Sequence, residues 1–381
     1  MEEEKIITET EETAKQTESE TIEKENTVTE AVEEEKTAPP KKSSVWKEIV
    51  FMALLIALTG YLLFKDENPK DILSLIWNSN KQFVLIGVLF ILIYHFLESI
   101  NLGRTLKALG VRSSKPRNYK YTLIGAFFSA VTPAATGGQP MEIYYMNRDG
   151  IKVADSTIAL MVNLFAYQVA TITCGIVGFI INFKTIISNK FMLPLFILGI
   201  TINAAAFAVL FIGIFSERLS RGLVNGVIRI MKFFHIRNME AKADKIRSVL
   251  AEYQKNSKFV KANMSVLIKA ICTTMLQFIM YYVIAYWTYR ALGFTEHNVF
   301  ELASMQALVY AICSGLPLPG SVGASDLAFI TIVGTIYPSA MIKSANLMTR
   351  GINFYLPLII SMVVVIVNKI RLNRLSAKAQ K

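Results

Sequence analysis

Six stretches of nearly unbroken apolar sequence, at 49–64, 83–100, 156–183, 191–215, 264–287 and 341–367, constrain this chain more than any other feature. An α-helix rises about 1.5 Å per residue and a bilayer core is about 30 Å thick, so a run near 20 residues suits one crossing. In lipid every backbone donor and acceptor must be satisfied within the protein, which leaves only helices or closed barrels. No alternation of polar and apolar residues marks barrel strands. The expected fold is therefore all-α: a polytopic integral membrane helical bundle with six spanning helices, in keeping with a hydrophobic content of 53%.

The formal charge of +11 conceals two opposite parts, since residues 1–40 hold fourteen Glu against four Lys. Residues 1–44 cannot bury enough apolar area to offset their ordering entropy and are expected to be a disordered acidic cytoplasmic tail. They carry no apolar leader core, so insertion is expected to start at the first internal apolar helix. The rest of the chain is strongly basic, and its Lys and Arg gather between apolar runs, as in Arg104, Lys107, Arg112, Lys115, Arg117 and Lys120. Basic loops stay on the cytoplasmic side facing anionic lipid, which places both termini inside and predicts the cytoplasmic membrane as the location. The polar stretch 216–263 reads as an amphipathic helix on the inner leaflet followed by a soluble one, and 375–381 as a basic tail beyond a membrane domain spanning 45–374. Nucleic acid is not an expected partner, because no soluble basic domain is present to bind it.

Two further elements are interrupted. The helical run 121–131 meets TPAATGGQP at 132–140, then leaves through 141–146. The run 299–314 meets LPLPGSVG at 316–323, then resumes over 324–336. Proline removes a donor and glycine permits unusual dihedrals, so both helices stop partway. Basic residues flank both ends of the first, predicting a re-entrant hairpin entered from the cytoplasm, whereas the second is placed as entering from outside. Pro133 precedes Glu142 by nine positions and Pro317 precedes Asp326 by nine, a spacing that allows an inverted repeat with its breaks meeting at mid-membrane.

Broken backbone at membrane depth is tolerated where it lines a wet cavity, and Thr132, Thr136, Gln139 and Glu142 all need polar partners there. Ionisable residues within apolar runs are functional candidates, and the set is Glu98, Glu142, Asp326 and Arg350, with His95 one turn before Glu98. The planar fork of Arg350 suits a lipid phosphate, or it pairs with Asp326 or Glu142 as a fixed structural bridge. Amides at Gly137, Gly138, Gly320 and Ser321 offer either an anion site or simply tight hairpin packing. Cys174, Cys272 and Cys313 lie far apart, and His95 with Glu98 has no second pair, so neither a disulfide framework nor a metal is expected. No G-x-S-x-G, P-loop or H-E-x-x-H occurs, so neither a catalytic set nor a cofactor is expected.

With TPAATGGQP, PLPGSVGASD at 317–326, and Arg350 followed by Tyr355 and Pro357, the chain resembles the lysylphosphatidylglycerol synthase transmembrane, or flippase-like, family over roughly 47–374. The resemblance implies movement of an anionic or aminoacylated phospholipid such as lysylphosphatidylglycerol between leaflets, and a link to resistance against cationic antimicrobial peptides. From the residues themselves, headgroup contacts would come from Thr132, Thr136, Gly137, Gly138, Gln139, Glu142, Gly320, Ser321, Asp326, Arg350 and Tyr355, and with no ATP site transport would be passive or ion-coupled, with Glu142 and Asp326 as proton carriers in the latter case. Full-length members continue into a soluble aminoacyltransferase domain that takes lysine from lysyl-tRNA. Here about a dozen polar residues follow Val367, so lysyltransfer is the alternative rather than the leading expectation. A third reading is a membrane scaffold for a lipid-synthesising enzyme, and a second copy of the chain is a further partner to consider.

Overall fold

A computed structural model describes residues 77–132, 135–188, 190–215, 258–314 and 323–379, together with Lys70, Ser74 and Gly222. The expected tail 1–44, the run at 49–64, the loop over 216–257 apart from Gly222, and Gly320 and Ser321 lie outside the described residues. Within them every regular element is helical, in the order α1 (Lys81–Ala108), α2 (Lys115–Val131), α3 (Gly138–Arg148), α4 (Val153–Ile181), short α5 (Phe183–Ser188), α6 (Met192–Phe215), α7 (Met264–Ala291), α8 (Val299–Cys313), α9 (Ala324–Ile332), α10 (Ile342–Arg350) and α11 (Leu356–Ala379). Five helices are long and apolar enough to cross a membrane: α1, α4, α6, α7 and the combined Ile342–Arg371. They coincide with five of the six apolar runs, and the protein is an all-α polytopic membrane protein.

The last of these spans departs from a single regular helix. A π-turn at Gly351–Tyr355 separates α10 from α11, directly after Arg350. Such one-turn bulges re-aim the side chains beside them and often sit at functional sites.

Lipid tails are as apolar as leucine, so close packing and buried hydrogen bonds hold these helices together. The α1–α7 pair is antiparallel. Phe83 stacks on Trp287 with ring centroids 5.8 Å apart, and eighteen residues further along, Asn101 Nδ2 donates to Ala270 O (3.2 Å) and Thr274 Oγ1 (3.0 Å). Helix α8 is gripped between α4 and α6 by glycines. A Cβ on Gly178 would lie 2.7 Å from Ser304 O, and one on Gly199 would lie 2.6 Å from Ala311 O. Amide side chains reinforce the grip, with Asn182 Nδ2 donating to Ser304 Oγ (2.8 Å) and Asn203 Nδ2 to Ser314 Oγ (3.1 Å).

Helices α2 and α3 form an antiparallel hairpin whose register can be read contact by contact. Gly138 faces Ser129 and the Gly125 carbonyl, Glu142 faces Gly125, and Asp149 faces Tyr121 and Arg117. The element therefore turns back toward the side it started from, as a re-entrant hairpin does. Its open end is latched by Asp149, which accepts from Lys120 Nζ and from Tyr121 OH (2.7 Å) and lies 3.6 Å from Arg117 Nε. Burial raises the pKa of Asp149, but the bonds from Lys120 and Tyr121 and the charges of Lys120 and Arg117 outweigh it, holding the carboxyl below its ordinary range. The latch thus contributes fully above the unfolded value near 4 and is lost as pH falls through the lower folded value.

Candidate functional site

The tip of the α2–α3 hairpin is built by its own side chains. Thr132 Oγ1 donates to Phe128 O (2.6 Å) and accepts the Gly137 amide (2.9 Å). Ala135, at φ 55°, occupies the left-handed region that a β-carbon disfavours, as the price of so tight a reversal. A Cβ on Gly138 would come within 2.0 Å of Ser129 Oγ and 2.9 Å of Gly125 O, so α3 can approach α2 only through glycine. Thr132, Gly137 and Gly138 are thus engaged in forming the turn, while Thr136, Gln139 and Glu142 reach past it.

What they reach is a chamber of about 730 Å³ lined from both hairpins and the helices around them. The first hairpin contributes Gly125, Ser129, Thr136, Gln139 and Glu142; the second contributes Gln306, Tyr310, Ser325 and Phe329. Between them, α1 adds His95 and Glu98, α7 adds Gln277 and Tyr281, and the α10–π-turn segment adds Asn346, Arg350 and Asn353.

Arg350 is fixed in place. Its Nη1 donates to Asp326 Oδ2, whose other oxygen accepts from Asn346 Nδ2 (2.8 Å), and Oδ2 also accepts the Gly323 amide (3.0 Å) at the start of α9. The guanidinium carbon lies 5.5 Å from the Phe354 ring centroid and 5.4 Å from that of buried Tyr355, both on the π-turn. Of the two partners the sequence allows, Asp326 is the one that Arg350 takes. Its Nη2 is buried and has no hydrogen-bond partner among the described residues.

The other acids at the chamber lack such a cation. Glu98 Oε2 lies 3.8 Å from His95 Nδ1. Glu142 is 7% exposed and makes no hydrogen bond or ion pair with the described residues. Its Oε1 occupies the space a side chain at position 125 would need, 1.9 Å from where that Cβ would stand. With Arg350 paired to Asp326, the carboxyl groups of Glu98 and Glu142 face the chamber without a Lys or Arg partner among the described residues.

Sequence reasoning missed most of the lining, which is uncharged and polar. Tyr94, Tyr167, Tyr281 and Tyr310 form one wall, with the Tyr94–Tyr281 and Tyr281–Tyr310 ring centroids each 5.4 Å apart and the Tyr167 and Tyr310 hydroxyls bonded to each other. Gln277 Nε2 and Gln306 Oε1 are buried there with no partner among the described residues. Nothing but an isolated Asn, Gln or Tyr inside an apolar run signals such positions. No cluster of three or more His, Cys, Asp or Glu able to hold a metal occurs among the described residues.

Residues 45–361 match the family described as the lysylphosphatidylglycerol synthase TM region, a stretch that contains both interrupted elements and the whole chamber lining. The chain belongs to that family. A relative called "UPF0104 membrane protein", from Methanothermobacter thermautotrophicus, is 22% identical over 317 residues, covering 81% of this chain and 89% of that protein. In this member of the lysylphosphatidylglycerol synthase TM-region family, the Arg350–Asp326 pair ties the second hairpin to the last span, and Glu142 marks the first hairpin's side of the chamber.

Proposed function

We propose that this protein moves lipid between the leaflets of the cytoplasmic membrane, passing the polar headgroup through the chamber while the acyl chains stay in the apolar surroundings. The supporting observation is a polar chamber, faced by two carboxyl groups without a Lys or Arg partner among the described residues, inside a bundle whose exterior is apolar, with Leu85, Ile180, Val209 and Leu327 all at least 60% exposed. Burying polar and charged groups without a ligand or water is costly, so a structure that does so provides for one.

The charge arrangement selects among headgroups. Arg350 Nη2 has a donor for one phosphate oxygen, and Glu142, with no cation of its own, suits an ammonium. An aminoacylated phospholipid such as lysylphosphatidylglycerol carries both groups, whereas a purely anionic headgroup would meet two carboxylates. In this reading the hairpins enter from opposite faces, both termini are cytoplasmic, and export of such a lipid would contribute to resistance against cationic antimicrobial peptides. Phosphatidylcholine vesicles holding lysylphosphatidylglycerol, with and without the purified protein, test it through a membrane-impermeant amine-reactive reagent. The protein is expected to make the inner-leaflet pool reactive at least tenfold faster than in protein-free vesicles; equal rates would overturn the proposal.

A further inference from the structure

We propose that Glu142 is a single-occupancy cation site at which a proton and the headgroup ammonium exclude one another, so that lipid movement is exchanged one-for-one against protons. The inference rests on the lipid-transport reading above and adds the coupling ion.

The argument begins with what surrounds the carboxylate. Helix α2, packed against it, offers the chamber only Gly125, Ala126 and Ser129, none of them charged. From α1 come Tyr94 and the facing pair His95 and Glu98, and from α4, α7 and α8 come the tyrosines Tyr167, Tyr281 and Tyr310 and the thiol of Cys313. The guanidinium of Arg350 is already bonded to Asp326, which in turn is committed to Asn346 and the Gly323 amide. Of the two acids that the sequence nominates as proton carriers, Asp326 is therefore locked and Glu142 is left without a cation among the described residues.

A carboxylate that is 93% buried needs a positive charge to balance it, or else a proton that removes its charge. The ammonium and the proton meet that need equally well, but never together. When a headgroup arrives, the O–H bond of Glu142 breaks, the proton passes, directly or by way of Glu98, to water on the face from which the headgroup came, and the ammonium takes its place as a charge-assisted hydrogen-bond donor. At the opposite face a proton re-forms the O–H bond and the ammonium leaves, so the site stays neutral throughout and one proton travels against one headgroup. A second observation points to a ligand here. Gln277 and Gln306, 1% and 5% exposed, line the same chamber with the unpartnered Nε2 and Oε1 noted above, ready to hold the rest of a headgroup.

The test uses the full chain in phosphatidylcholine vesicles containing lysylphosphatidylglycerol, with a pH difference of about one unit imposed across the membrane. One-for-one exchange predicts that the lipid accumulates in the leaflet on the acidic side, where a proton enters the site as each ammonium leaves, to a steady asymmetry of about tenfold, because one pH unit is a tenfold ratio of protons. Reversing the gradient should reverse the asymmetry, and a lipid gradient alone should shift the internal pH of the vesicles. Glu142→Gln should abolish the asymmetry, and Glu142→Asp should restore part of it. Transport that ignores the pH gradient in the wild-type protein overturns the coupling while leaving the transport reading intact, and asymmetry that survives in Glu142→Gln overturns the assignment to Glu142. Absence of any transport would instead overturn the reading on which this inference rests.

Discussion

Arg350→Ala is expected to destabilise the protein by about 3–5 kcal/mol, the loss typical of removing one partner from a buried ion pair. The cause is the carboxylate left behind. Asp326 would keep two hydrogen bonds, from Asn346 and the Gly323 amide, but no cation, in surroundings where its side chain is 21% exposed. Because the pair joins α9 to the end of α10, its loss should loosen the second hairpin against the last span. Arg350→Lys should recover only part of the stability, since an ammonium cannot reproduce the planar fork or its place beside Phe354 and Tyr355. The double substitution Arg350→Ala with Asp326→Ala should be less damaging than Arg350→Ala alone, because no bare charge remains. Thermal unfolding in detergent checks all three, and strict additivity would show that the pair carries no coupling.

Gly199→Ala is the second change with a large expected effect, about 3 kcal/mol or more, at the upper end of overpacking costs. The added methyl would stand 2.6 Å from Ala311 O, 2.8 Å from Ile312 Cα and 2.9 Å from Ile312 O. All three are backbone atoms, so no rotamer change relieves the clash and α6 must move off α8. That separation would also stretch the bonds from Asn203 to Ala311 O and Ser314 Oγ. Gly110→Ala tests the opposite condition, since a Cβ there meets nothing within 4 Å and its cost comes only from the positive φ of 79°. Unfolding midpoints of the two variants should therefore differ clearly, with Gly199→Ala the lower.

The frame is legible in the sequence because lipid leaves few options: long apolar runs must be helices, and Pro133 with Gly137 and Gly138 must interrupt one. Faces are much harder to read. In water an amphipathic stripe separates core from solvent, but in a bilayer both the lipid side and the core side of α1, α6 and α8 are apolar, so the 3.6-residue period fades. Gln277 sits in the run LQFIMYY with nothing local to show that it faces the chamber while Ile279, two residues on, is 49% exposed. Pairing over distance is equally hidden. That Arg350 takes Asp326 rather than Glu142 shows only once α9 lies beside α10, where Asn346 joins the same carboxylate, and neither Gly351 nor Pro357 alone announces the π-turn that follows.

The account depends on a water-accessible chamber between the two hairpins, and thiol reactivity probes it most directly. In a background where Cys174, Cys272 and Cys313 are replaced, Ser129→Cys on the first hairpin and Ser325→Cys on the second are each treated with a small charged thiol reagent, beside the outward-facing control Leu327→Cys. Only the thiolate reacts, and it forms in water rather than in hydrocarbon. Fast labelling at 129 and 325 with slow labelling at 327 is the predicted result; labelling at 129 and 325 as slow as at 327 would contradict it.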